Sequence, residues 1–114
     1  MMSLAQQKCV PCEGGTPPLT AAEVEPFLAQ VEGWEVVDGK KLARGFRFKN
    51  FVEAVDFVNA ITPVAEAEGH HPDLTVGWGR VGVELTTHAI GGLSQNDFIM
   101  AAKVDQLAEK STAT

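Results

Sequence analysis

The chain has 114 residues, 45% of them apolar and 21% charged, an ordinary globular composition with room for one hydrophobic core but not two. Nine Lys and Arg stand against 15 Asp and Glu, a net charge of −6, so the chain lacks the basic footprint of a nucleic-acid or anionic-membrane binder. No apolar run approaches the roughly 18 residues that span a bilayer, and residues 1–8 hold no apolar signal core, so the expected location is cytoplasmic.

Residues 1–18 read as an irregular N-terminal arm, and residues 19–114 as a single domain. Pro11, Gly14, Gly15, Pro17 and Pro18 crowd a stretch that cannot sustain regular structure. Cys9 and Cys12, the only cysteines, stand at CxxC spacing, too few for a disulfide framework. Thr20-Ala21-Ala22-Glu23 is a capping box. Val24, Phe27, Leu28 and Val31 then recur at helical spacing, which predicts a helix to about Gln30 despite Pro26 inside it, with Gly33 as its stop.

Trp34 to Val37 predicts a short strand. Asp38-Gly39 is a hairpin turn signal, because a type I′ turn needs positive φ at both central residues. The return strand sets Leu42, Arg44, Phe46 and Phe48 on one face and Lys41, Arg47 and Lys49 on the other. Asn50 then caps a helix reaching about Glu68, with Phe51, Val55, Val58, Ile61 and Ala65 expected on the buried face. Pro63 should bend it, and Gly69 fits the left-handed residue past its end.

Leu74 to Trp78 predicts a third strand, and Gly77 and Gly79 a tight turn around Trp78. Arg80 to His88 alternates cleanly and predicts the fourth. Ser94 caps a last helix running to about Lys110, with Asp97 in its first turn. Phe98, Ile99, Met100, Ala101, Ala102, Val104 and Leu107 cover more than one stripe of it, which predicts burial on two sides, one of them a subunit interface. The order α-β-β-α-β-β-α gives an α+β two-layer sandwich, a four-stranded antiparallel sheet with three helices on one face.

All three histidines, His70, His71 and His88, fall at loop or strand-end positions around one hairpin. Imidazole exchanges protons near neutral pH, so such a cluster points to acid–base chemistry. Pro72 biases His71 to an extended backbone, and successive extended residues point to opposite sides. The two rings therefore have different jobs, which weakens a two-histidine metal clamp. Glu66 lies one helical turn before His70 and could reach an imidazole. Asp97 reads either as a helix cap or as a site carboxylate. Trp34 and Trp78 are possible walls for a flat ligand, though core packing explains most of the aromatic residues. Cys9 and Cys12 could bind zinc only with histidines completing the set. No phosphate loop, dinucleotide-binding glycine pattern, nucleophile elbow or EF-hand loop is present.

The segments Glu66-Ala67-Glu68-Gly69-His70-His71-Pro72, Leu85-Thr86-Thr87-His88 and Gly91-Gly92-Leu93-Ser94 with Asp97 resemble the pterin-4a-carbinolamine dehydratases, over about residues 19–110. The arm Cys9-Val10-Pro11-Cys12 is similar to that of many bacterial members. The resemblance implies the α+β fold above, assembly as a homodimer or homotetramer, and dehydration of 4a-hydroxytetrahydropterin to quinonoid dihydropterin, in recycling the pterin of aromatic amino acid hydroxylases such as phenylalanine hydroxylase. It implies proton transfer by His70 and His88, orientation of the pterin by His71, support from Glu66 and Asp97, and a pocket lined by Pro72 and Thr87, with Trp34 and Trp78 as walls. It implies no cofactor and no metal. Trp78 departs from the Tyr of many members. Relatives of this fold also act as a transcription-factor partner or in protein assembly, so a binding module is the alternative, with a small zinc protein behind it.

Overall fold

A computed structural model describes residues 3–10, 17–31 and 33–112. Thr20 caps the first helix, α1 (Ala21–Leu28), with the reciprocal bonds that its spacing to Glu23 predicts: the Thr20 hydroxyl accepts from the Glu23 N–H at 3.2 Å and Glu23 Oε1 from the Thr20 N–H at 2.9 Å. The helix ends at Leu28, two residues past Pro26 and short of the expected Gln30. Tighter turns take over, with Gln30 N–H donating to Phe27 O and Val31 N–H to Leu28 O, and they bury Val31.

Strands β1 (Glu35–Val37) and β2 (Lys41–Arg47) form the first hairpin. Asp38 and Gly39 both adopt positive φ, 54° and 68°, as the Asp-Gly signal requires. Trp34 precedes β1 instead of opening it. Helix α2 (Phe51–Glu68) starts at Asn50, whose side chain accepts from the Glu53 N–H at 2.9 Å, and ends at Gly69 in the left-handed conformation. Strands β3 (Asp73–Gly77) and β4 (Arg80–Leu85) form the second hairpin, and α3 (Gln95–Thr112) closes the fold. The sheet order is β1-β2-β4-β3, antiparallel throughout, so α2 carries the chain from one hairpin to the outer edge of the next. This is the α+β sandwich expected from the order of elements.

Three expectations shift. The buried stripe of α2 is Ala54, Phe57, Ile61 and Ala65, while Phe51 is exposed and Val55 and Val58 are half-buried. Two apolar stripes share Ile61 and Ala65 and diverge toward the N-terminus. The larger aromatic cluster decides between them, because Phe57 packs between Phe46 and Phe48 at centroid distances of 5.0 and 4.9 Å. Trp78 lies in the β3–β4 turn, not in a strand. β4 ends at Leu85, and after the Thr87–Gly92 bridge residues form, His88 sits in a short 3₁₀ turn, His88–Ile90.

The second side of α3 is covered from within the chain. A 3₁₀ turn, Leu4–Gln6, packs along α3, buries Leu4, and lets Lys103 Nζ donate to Ala5 O at 2.8 Å. The described part of the arm is therefore docked. Elsewhere α3 meets α1, α2 and the sheet: Phe98 stacks on Phe27 at 5.3 Å, and Met100, Ala101 and Val104 are fully buried in the same core as Leu42, Val81, Val83 and Leu85.

Arg44 is the charged residue on the apolar alternation of β2. Its guanidinium lies 4.5 Å over the Phe46 ring and donates to Asp105 Oδ1 at 2.8 Å. Trp34 Nε1–H donates to the same oxygen at 2.9 Å. Burial pushes the Asp105 carboxyl above its ordinary value, outweighing the lowering by Trp34 and Arg44. The folded protein thus holds the Asp105 proton more tightly than the unfolded chain does. Asp105 favours folding most at low pH, and that advantage is lost as pH rises through the raised value. Asp105→Asn keeps an acceptor for Trp34 and removes the titration. Its stability relative to the parent should rise as pH climbs above the ordinary carboxylate range in paired urea melts. A falling difference would mean that the Arg44 ion pair dominates.

Candidate active site

The end of α2 and the loop between β4 and α3 bring the histidines together. Gly69 turns the chain with φ 64°, and the His70 N–H donates back to Ala65 O at 3.3 Å. His70 then points inward, its side chain 11% exposed, and its Nε2–H donates to Asp97 Oδ1 at 2.6 Å. His71 points outward and donates from Nε2 to Glu66 Oε2 at 2.5 Å, with both side chains largely exposed at 60% and 69%. Glu66 thus meets the second histidine of the pair, one residue beyond the helical-turn spacing. The opposite directions are those that an extended backbone before Pro72 predicts.

Asp97 is fully buried and serves both of the roles that its position suggests. Oδ2 accepts from the Ser94 N–H at 2.9 Å and from the Thr87 hydroxyl at 2.8 Å, while Oδ1 accepts from His70. The Ser94 hydroxyl in turn accepts from the Asn96 N–H at 3.2 Å, and it lies 2.8 Å from Thr87 Oγ1. The helix start and the histidine are therefore fixed by one carboxylate. With Oδ1 accepting, Nε2 of His70 carries the hydrogen and Nδ1 is the ring nitrogen left outside this bond.

The loop holding His88 is pinned from both sides. Thr87 N–H donates to Gly92 O at 3.0 Å, and Leu19 N–H to Leu93 O at 2.8 Å. Gly92 permits this approach, since a Cβ there would stand 2.7 Å from Pro18 Cβ. His88 itself is exposed.

His70, His71, His88, Glu66 and Thr87 line a single cleft of about 610 Å³, within the range of small-molecule sites. Asp97 lies behind it, bonded to His70 and Thr87, and Pro72 is not among its lining residues. Trp34 and Trp78 are not brought to it. Trp34 is buried against Asp105, and Trp78, 71% exposed, sits at the far end of the β3–β4 hairpin. A larger hollow of about 790 Å³ beside Arg44 and Asp105 contains no histidine.

Sequence reasoning missed part of the lining of this cleft. Cys9, Val10 and Asn96 also line the cleft, joined across 86 residues by hydrogen bonds between Val10 and Asn96. Only the unusual CxxC arm hinted at it. Burial, and then the Glu68 charge, push the Cys9 thiol up to about 12, so it stays protonated at neutral pH, unlike a reactive or metal-binding thiolate. Cys12 lies outside the described residues. Among the described residues no group of three or more His, Cys, Asp or Glu side chains is placed to hold a metal ion. No described helix is long and apolar enough to cross a membrane.

The family model for pterin 4 alpha carbinolamine dehydratase matches residues 17–107. A Methylococcus capsulatus protein provisionally named pterin-4-alpha-carbinolamine dehydratase is 56% identical over 110 residues, 96% of each chain. A Rubrobacter xylanophilus protein with the same provisional name is 53% identical over 107 residues, 94% of this chain and all of the relative. Among solved structures, the Brucella melitensis transcriptional coactivator/pterin dehydratase superposes with a TM-score of 0.76 at 36% identity, over 80% of this chain and 98% of that one. A pterin dehydratase-like RuBisCO assembly factor of the alpha-carboxysome shares the fold, with a TM-score of 0.58 at 24% identity, over 68% of this chain and 90% of that one.

The two carboxylates should differ sharply in what they hold. Asp97→Ala removes three hydrogen-bond acceptances at once and leaves buried donors unpaired, so it should cost about 3 kcal/mol or more in a denaturant melt. Glu66→Ala breaks only an exposed pair and should cost about 0.5 kcal/mol or less. Equal losses would contradict the placement of Asp97 as the buried anchor.

Proposed function

The chain belongs to the pterin 4 alpha carbinolamine dehydratase family, and we propose that it dehydrates 4a-hydroxytetrahydropterin to quinonoid dihydropterin by histidine acid–base catalysis. The observation that carries this reading is the convergence of three histidines on one cleft, with His70 held by a buried carboxylate.

The reaction asks for two proton movements. The bond from C4a to the hydroxyl oxygen breaks with its electron pair leaving on oxygen, and a donor must protonate that oxygen so that water departs. A base must take the proton from the adjacent ring nitrogen, whose electrons form the new double bond to C4a. Two imidazoles suffice, and no net redox change occurs. General acid–base catalysis of this kind is worth about 10²–10⁴-fold. His70, fixed through Nε2, exchanges its proton at Nδ1. His88, on the separate loop before α3, supplies the second group. His71 is tied to Glu66 at the cleft mouth and orients the pterin, while Thr87 and Asp97 keep His70 in one tautomer. Service to a phenylalanine hydroxylase system, assembly as a homodimer or homotetramer, and independence of any cofactor belong to the same proposal.

A partner-binding role is the second reading. The Brucella relative's description joins a coactivator to a dehydratase, and this chain exposes Phe51, Val52 and Trp78.

The test is the disappearance of 4a-hydroxytetrahydropterin, generated by a phenylalanine hydroxylase and followed optically. The protein should accelerate it, and His70→Ala or His88→Ala should each cut turnover roughly tenfold or more while leaving the circular dichroism unchanged. Parental turnover in both variants would overturn the assignment. A folded parent protein giving no acceleration would favour the partner-binding role.

A further inference from the structure

The arm is tied down where a passive tail would have no need of it. Asn96, buried in the first turn of α3, meets both backbone groups of Val10: Oδ1 accepts from the Val10 N–H at 2.9 Å, and Nδ2 donates to Val10 O at 2.5 Å. Glu68 Oε1 accepts from the Cys9 N–H at 2.7 Å. These anchors stand on the two elements that carry the buried pair. Asn96 immediately precedes Asp97, and Glu68 lies two residues before His70. Leu4 and Ala5, farther along the arm, already serve to cover α3. The Cys9–Val10 end reaches beyond that duty, to the cleft.

Chemically this end is the opposite of the histidine wall. Its N–H groups and the Val10 carbonyl are engaged by Asn96 and Glu68, and the Cys9 thiol donates to Asn96 O at 3.7 Å, so what it offers to the cleft is the aliphatic Val10 side chain beside a neutral sulfur. A planar, uncharged heteroaromatic molecule needs such a surface on one side while its polar edge meets the imidazoles.

We propose that Cys9–Val10 is a strap forming the apolar wall of the histidine cleft, and that Asn96 and Glu68 are positioning residues that set substrate affinity through it. The substrate class rests on the dehydratase reading; the strap itself does not. Asn96→Leu and Glu68→Leu each release the same end of the arm from a different element.

Three readouts test this on the full-length chain. In hydrogen exchange, the Cys9 and Val10 amides should be protected in the parent and exchange fast in both variants. In the dehydratase assay, each variant should raise KM about tenfold, with the change falling on KM more than on kcat, and the double variant should add little, because one strap is released once. In diethyl pyrocarbonate modification, His70 should react several-fold faster in both variants than in the parent. Unprotected amides in the parent, or an active parent whose KM is unmoved when the strap is released, would overturn the proposal. If the parent shows no dehydration, the dehydratase reading fails by itself. The strap is then decided by the modification rate, which supports it if faster in the variants and overturns it if unchanged.

Discussion

A carboxylate removed from water must be surrounded by donors, and Asp97 is surrounded by donors from three separate parts of the chain. Its own helix supplies Ser94, the end of the second hairpin supplies Thr87, and the end of α2 supplies His70. No one of these segments could adopt its position independently without leaving a buried charge underserved. The helix start, the hairpin exit and the histidine turn are therefore cooperative. Stability and site geometry share a single group, so that His70 is held by the same interaction that begins α3.

A similar economy governs the arm. A helix that is apolar on two sides demands two covers. The sheet and α2 provide one, and Leu4 with its short turn provides the other. Once the arm runs along α3 for that reason, its continuation passes the N-terminal turn of the helix, where Asp97 and Asn96 stand. Packing brings the chain to the site, and polar bonds from Asn96 and Glu68 fix it there.

How much of this was legible in the sequence depends on the range of the interaction. The caps at Thr20 and Asn50, the Asp-Gly turn and the left-handed Gly69 are local and stood in the sequence with their partners a few residues away. The opposed directions of His70 and His71 were legible too, because Pro72 restricts the backbone between them. The buried face of α2 was not, since two stripes sharing Ile61 and Ala65 satisfy the helical period equally, and only Phe46 and Phe48 on another element select Phe57. The histidine that Glu66 meets lay one residue from the reach of simple helix spacing. Trp34 is an aromatic residue that a flat-ligand reading attracts and the core claims, because the nearest acceptor for its N–H is Asp105 on α3. Val10 and Asn96 are 86 positions apart, and no periodicity connects them.

The adjacent histidines show why neighbouring residues of one type can carry different chemistry. His70 is nearly enclosed, and its partner is a carboxylate that has no water to prefer; its tautomer is set by a bond that solvent barely reaches. His71 holds an equally short contact with Glu66, yet both of those side chains stand in water, where ion pairing is weak and the ring can turn to meet an incoming molecule. Burial, and not bond length, separates the two. A ring locked in one tautomer suits repeated proton exchange at a fixed atom, and a ring on a loose tether suits capture and orientation. His88 reaches the same cleft from an independently pinned loop and makes no demand on Asp97.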